Sequence, residues 1–145
     1  HSRGGKLQKI IFVVDDNDMN LIVAKETLKN LYRVITMLSG TKMFSLLEKI
    51  KPDLILLDVY MEDMDGFEAL EKLKKNSSFA DIPVILLTGT YDAEVEARGY
   101  QMGVKDFMTK PYSGRELINK INTHLNTGGA PYQDGKYPAA ADLKP

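Results

Sequence analysis

Four short apolar runs, none alternating with polar residues, each lead into a polar residue of a particular kind. Ile10-Ile11-Phe12-Val13-Val14 ends in Asp15-Asp16, Leu54-Ile55-Leu56-Leu57 in Asp58, and Val84-Ile85-Leu86-Leu87 in Thr88. Phe107-Met108 leads through Thr109 to Lys110-Pro111. A continuous apolar run bounded by turn residues reads as a strand buried on both faces, the kind found in a parallel sheet covered by helices on each side. If these runs lie side by side, three carboxylates, a hydroxyl and an ammonium converge at one sheet edge. That edge is where open α/β sheets bind their ligands.

The segments between the runs carry helical periodicity. Leu21, Ala24, Leu28 and Leu31 share one helical face, with Asn17 or Asp18 placed to cap it. Met43, Leu46, Leu47 and Ile50 follow the i, i+3, i+4, i+7 template before Pro52. Phe67, Leu70 and Leu73 form a third stripe after Gly66. Ser113-Gly114-Arg115-Glu116 reads as a capping box ahead of Leu117, Ile118, Ile121 and Leu125. The segment Asp92–Met102 is the weakest helix, because Gly99 inside it costs about 1 kcal/mol relative to alanine. Residues 33–38 supply one further strand through Val34, Ile35, Met37 and Leu38, and 106–108 a short last one.

The order is therefore (βα)5 with right-handed crossovers. We expect an α/β, flavodoxin-like three-layer sandwich with a five-stranded parallel sheet in order 2-1-3-4-5. Its switch-point crevice falls between strands 1 and 3, where Asp15, Asp16 and Asp58 lie. Residues 1–6 read as a leader or cloning remnant, 7–126 as the folded domain, and 127–145, rich in Gly, Ala and Pro, as a linker or disordered tail.

Composition narrows the class. With 145 residues the chain is long enough for one domain with a sizeable core. A formal net charge of −1 offers no global field for nucleic acid or an acidic membrane surface. No run approaches the ~20 apolar residues of a membrane span. The absence of cysteine excludes disulfides, a thiolate nucleophile and zinc-thiolate sites, and a cytoplasmic setting is expected.

Three carboxylates packed closely cannot all stay ionised without a counter-charge. A hard divalent cation with oxygen ligands, Mg²⁺ or Mn²⁺, answers that need and leaves room for a phosphate oxygen. Lys110 adds a mobile point charge suited to a phosphoryl oxygen, and Thr88 a hydroxyl donor. Asp58 is the candidate nucleophile, since carboxylates form aspartyl-phosphates. Taken singly, the aspartate pair would more often be a turn and helix cap, Lys110 a solvated lysine and Thr88 an ordinary strand end. Their joint placement reverses that judgement. His124, near the end of the last helix, suits the helix dipole, the methionines read as core filler, and Tyr91 and Tyr100 as half-buried aromatics or partner contacts.

Over nearly all of residues 8–126 the sequence resembles the receiver domain of bacterial two-component response regulators. The resemblance rests on Val13-Val14-Asp15-Asp16, Leu57-Asp58 with Met61 and Met64-Asp65-Gly66 downstream, Leu87-Thr88-Gly89, and Lys110-Pro111, in order and with fitting spacing. It implies that Asp58 accepts a phosphoryl group from a sensor histidine kinase or phosphotransfer protein. It implies that Asp16, Asp58 and the backbone carbonyl of Tyr60 bind Mg²⁺, with Asp15 reaching it through water. Lys110 would contact the phosphoryl oxygen and precede a cis peptide bond to Pro111. Thr88 would move toward the phosphoryl group and Phe107 turn inward behind it, changing the helix 4–strand 5–helix 5 face. Such a chain is not a conventional enzyme, but it catalyses its own phosphorylation and dephosphorylation. The implied partners are the kinase, an output domain or partner protein, and a second copy on phosphorylation. Direct nucleic-acid or membrane binding is not implied.

Four positions stand out. Glu62 replaces the family's usual proline and is expected to loosen its loop. Phe107 lacks the hydroxyl of the commoner tyrosine. Tyr60 and Thr90 occupy the positions two after Asp58 and Thr88, which in the family influence attack of water on the acyl phosphate, and Tyr60 is large enough to shield Asp58. Among other functions, a haloacid-dehalogenase-type phosphatase wants aspartate where Tyr60 stands. A calcium loop through Gly66 would begin at Met61 and fails. A flavin-binding protein needs a phosphate loop after strand 1 rather than paired aspartates. The remaining alternative is a pseudo-receiver, a protein-binding module without phosphoryl turnover. It is disfavoured because every charged and hydroxyl group of the site is present.

Overall fold

The computed structural model of the chain describes residues 8–89 and 91–125. Thr90, the expected leader and the expected tail lie outside the described residues. Strands and helices alternate: β1 Ile10–Val14, α1 Asp18–Leu28, β2 Arg33–Met37, α2 Gly40–Leu47, β3 Leu54–Asp58, α3 Gly66–Lys75, β4 Val84–Thr88, α4 Ala93–Gln101, β5 Asp106–Thr109 and α5 Gly114–Leu125. The five strands form one parallel sheet in the order β2-β1-β3-β4-β5, the flavodoxin-like arrangement expected. The chain divides after Lys110 into two compact units, the first carrying the sheet with α1–α4 and the second carrying α5.

Register explains why the central runs never alternate. Phe12, Ile55 and Val84 are laterally paired, as are Val14, Leu57, Leu86 and Phe107. These side chains join Met43 and Leu47 of α2 and Phe67, Leu70 and Leu73 of α3 in one core cluster. The intervening residues Ile11, Val13, Leu54, Leu56, Ile85 and Leu87 point to the other face and are buried just as completely. Each such side chain contributes roughly 1.5–3 kcal/mol of burial, so both faces must be apolar.

Helix ends follow local chemistry. Asn17 Oδ1 accepts from Asn20 N at 3.0 Å and caps α1, so of the two candidates it is Asn17 that serves. Leu31 departs from its expected place on the α1 face: the helix stops at Leu28, the backbone turns through Leu31 N–Leu28 O, and Leu31 is exposed. Likewise α2 ends at Leu47, and Ile50 reaches the core from a turn closed by its N–H on Leu46 O. α3 opens with a reciprocal capping box between Asp65 and Glu68. In the second unit, Ser113 Oγ accepts from Glu116 N at 3.0 Å and α5 buries Leu117 and Ile121, one turn apart.

The start of α3 lies hard against the loop that leaves β3. Gly66 N donates to Val59 O at 2.6 Å, and a Cβ at Gly66 would stand 2.6 Å from Asp58 O and 2.9 Å from Val59 Cα. Both obstacles are backbone, so neither can swing aside. Gly66→Ala is expected to destabilise the fold by about 1–3 kcal/mol through overpacking, read as a lower urea midpoint with unchanged slope.

Candidate phosphoacceptor site

The sheet carries the polar tips to one edge. Val14 pairs with Leu57, so the next residues, Asp15 and Asp58, emerge side by side from neighbouring strands. Thr88 pairs with Thr109, which puts Lys110 next to the end of β4, and Lys110 N donates to Thr88 O at 2.7 Å. Asp58 and Thr88 are the last residues of their strands rather than loop residues, so the sheet itself holds them.

Within this edge, carboxylate oxygens of Asp15, Asp16 and Asp58 lie within 4.8 Å of one another. Asp15 and Asp58 are buried, at 1 % and 4 % exposure, as is Thr88, whereas Asp16 is exposed. Lys110 Nζ bridges the buried pair, 3.1 Å from Asp15 Oδ2 and 3.3 Å from Asp58 Oδ1. Burial, then the negative charge of Asp15, push the Asp58 carboxyl up to about 6; Lys110 opposes the rise and Asp16 adds to it. Burial disfavours the Lys110 charge, but Asp58 and Asp15 outweigh it and hold the ammonium above its ordinary range. Lys110 is therefore cationic at neutral pH, and Asp58 is largely ionised.

All of the sequence-derived charged residues thus meet. The structure adds two supports that the sequence did not single out as site groups. Asn17 N donates to Asp15 Oδ1 at 2.9 Å, and Asn20 Nδ2 to Asp15 Oδ2 at 3.1 Å. Asn17 carried a helix-cap signal, but Asn20, one turn into α1, carried none. Phe107 is buried, and its Cε1 lies where a Cβ on Gly99 would approach to 3.2 Å. The glycine that weakens α4 therefore gives the ring its room. Arg98 of α4 stacks on Phe67 of α3 with its guanidinium carbon 4.1 Å from the ring centre. Tyr60, two residues after Asp58, is 60 % exposed.

The loop after β3 does not depend on a proline. Asp63, next to Glu62, ties it to the start of α2: its carboxylate accepts from Thr41 N at 2.8 Å and Thr41 Oγ1 at 2.7 Å.

Three carboxylates face one ammonium, an excess of negative charge on an all-oxygen donor set. That chemistry fits a hard divalent cation.

The family model described as "Response regulator receiver domain" matches residues 11–122, and the chain belongs to that family. It is 37 % identical over 113 residues to hybrid signal transduction histidine kinase D of Dictyostelium discoideum, covering 77 % of this chain and 7 % of that protein. It is 36 % identical over 115 residues to response regulator PleD of Caulobacter vibrioides, covering 78 % of this chain and 25 % of that protein. The chain thus spans a minor part of these relatives. Among solved structures, the BeF3-activated DrrB receiver domain superposes with a TM-score of 0.76 at 30 % identity, covering 83 % of this chain and all of that one (100 %). The fold and the two-component receiver class follow. Among the described residues no helix is long and apolar enough to cross a membrane.

The raised Asp58 pKa gives a signed expectation. Between the ordinary aspartate value of 3.8 and about 6, the folded state binds more protons at Asp58 than the unfolded state. The stability from protonated Asp58 is complete below pH 3.8 and is lost as pH rises through about 6. In chelator, Asp58→Asn is therefore expected to be more stable than the parent at pH 7.5, by up to roughly 3 kcal/mol. The difference should vanish toward pH 4, as urea unfolding at a series of pH values will show.

Proposed function

We propose that the chain is a phosphoacceptor switch in which Asp58 takes a phosphoryl group from a phosphohistidine of a sensor histidine kinase or phosphotransfer protein. The observation that carries this reading is the buried Asp58, beside Asp15 and bridged by Lys110. An ionised Asp58 oxygen attacks phosphorus; the P–N bond to the imidazole breaks, the electron pair leaves with nitrogen, and an acyl phosphate forms. Lys110, already 3.3 Å from Asp58 Oδ1, pairs with a phosphoryl oxygen as charge arrives. The Thr88 hydroxyl donates to another, and the buried Phe107 ring answers its displacement, the response spreading to α4 and β5. The residues that would hold Mg²⁺ or Mn²⁺ are Asp16, Asp58 and the Tyr60 carbonyl, with Asp15 through water. When bound, the cation neutralises charge on the transferring group.

Exposed apolar residues support a protein donor. α1 begins at Asp18, two residues after Asp16, and leaves Met19, Ile22 and Val23 at 64 %, 56 % and 52 % exposure. A patch of this kind beside a reactive group suits a transient partner.

Incubation with Mg²⁺ and a small-molecule phosphodonor should add the mass of one phosphoryl group, and Asp58→Asn should abolish it. No adduct on the parent, with the fold intact, would favour the pseudo-receiver. Ile22→Glu should slow transfer from a phosphorylated protein donor while leaving the small-molecule reaction unchanged. Tyr60→Ala should shorten the lifetime of the acyl phosphate, measured as phosphate release; an unchanged lifetime removes Tyr60 from that role.

A further inference from the structure

The geometry points to Asp63 as a positioning residue: it clamps the β3–α3 loop to the start of α2 and so holds the Tyr60 carbonyl where a divalent cation needs it. This rests on the cation set proposed above.

The loop is pinned at both ends. Val59 N donates to Leu87 O at 2.8 Å and Gly66 N to Val59 O. Between these anchors, Glu62 leaves φ unrestrained where a proline would set it. The restraint comes instead from adjacent side chains reaching one spot on another element. The Asp63 carboxylate takes hydrogen bonds from Gly40 N at 3.3 Å, Thr41 N at 2.8 Å and Thr41 Oγ1 at 2.7 Å. Met64 lies beside it over Gly40, where an added Cβ would meet Met64 Cγ at 2.7 Å. The partners lie 22 residues apart in sequence and are held by β2 and α2.

Asp63 is exposed and does not belong to the carboxylate cluster. Burial pushes its carboxyl up, but the hydrogen bonds from Thr41, Gly40 and Met64 together outweigh that and hold it below the usual range, so the clamp stays ionised at neutral pH. Groups that orient a metal ligand from behind control affinity without touching the ion. A carbonyl on an untethered loop must be ordered at the moment of binding, and that ordering subtracts from affinity.

The test is Mg²⁺ titration of the unphosphorylated full chain, followed through amide NMR shifts at Tyr60 and Met61. Asp63→Ala is expected to weaken Mg²⁺ binding about tenfold. Thr41→Val, which keeps the backbone donor and removes the hydroxyl, should lose less. Asp63→Asn, which keeps an acceptor oxygen, should recover part of the loss. Urea unfolding of each variant separates a clamp from a general loss of structure. If Asp63→Ala unfolds, Thr41→Val and Asp63→Asn carry the test. Unchanged Mg²⁺ affinity in the folded variants overturns the clamp while the phosphoacceptor reading stands. Parent protein that binds no Mg²⁺ overturns the cation set and the clamp together. Weakened affinity with unchanged stability of the remaining fold supports the clamp.

Discussion

Two buried carboxylates on adjacent strands, joined by one ammonium, are the constraint on which the rest of this structure depends. Asp15 and Asp58 follow the paired residues Val14 and Leu57, so no rotation of either strand separates them. Raising Asp58 to about 6 corresponds to roughly 3 kcal/mol of disfavoured charge at neutral pH. One or two fully buried leucines offset that amount, and β1, β3 and β4 supply many more. The doubly covered parallel sheet therefore does more than support the site. It supplies the burial that disfavours the charge on Asp58 and the stability that tolerates it.

The same arrangement ties Asp58 to the end of β4. Lys110 Nζ bonds Asp15 and Asp58, while Lys110 N holds Thr88 O. A group added at Asp58 must compete for the ammonium, and the residue that carries it is fastened to the end of β4. Leu86, two residues before Thr88, touches the space beside Gly99, and Phe107 fills that space from β5. A glycine that looks like a weakness in α4 is thus a packing requirement of the neighbouring ring. Close packing of this kind couples the ring's position to the end of β4, which is the contact that the proposed switch uses.

Much of this was legible because the signals are local. Continuous apolar runs identify doubly buried strands, and their tips fall at one edge once the chain alternates strand and helix. The helix ends were harder: periodicity carried α1 to Leu31 and α2 to Ile50, but turn geometry ends both earlier while still using Ile50 in the core. Asn20 and Asp63 were not legible as site supports. Asn20 works only because α1 starts two residues after Asp16, and Asp63 only because α2 begins beside the β3–α3 loop. Neither contact leaves a periodic or motif trace: Asn20 reaches a side chain across the β1–α1 turn, and Asp63 a backbone 22 residues away in sequence.

The aspartate pair itself divides its labour by environment. Asp15 Oδ1 is taken by Asn17 N, and Oδ2 by Asn20 and Lys110, so a buried carboxylate has its oxygens committed. Asp16, one residue on, is exposed and lies within the same 4.8 Å cluster. Releasing Asp15 from these donors would strip a buried carboxylate of its hydrogen bonds, at about 1–3 kcal/mol each, whereas Asp16 is exposed to solvent. A cation approaching this edge thus meets one carboxylate held by the protein and one open to it. That asymmetry favours direct ligation by Asp16 and an outer, water-linked role for Asp15, the two roles that the proposed cation set assigns them.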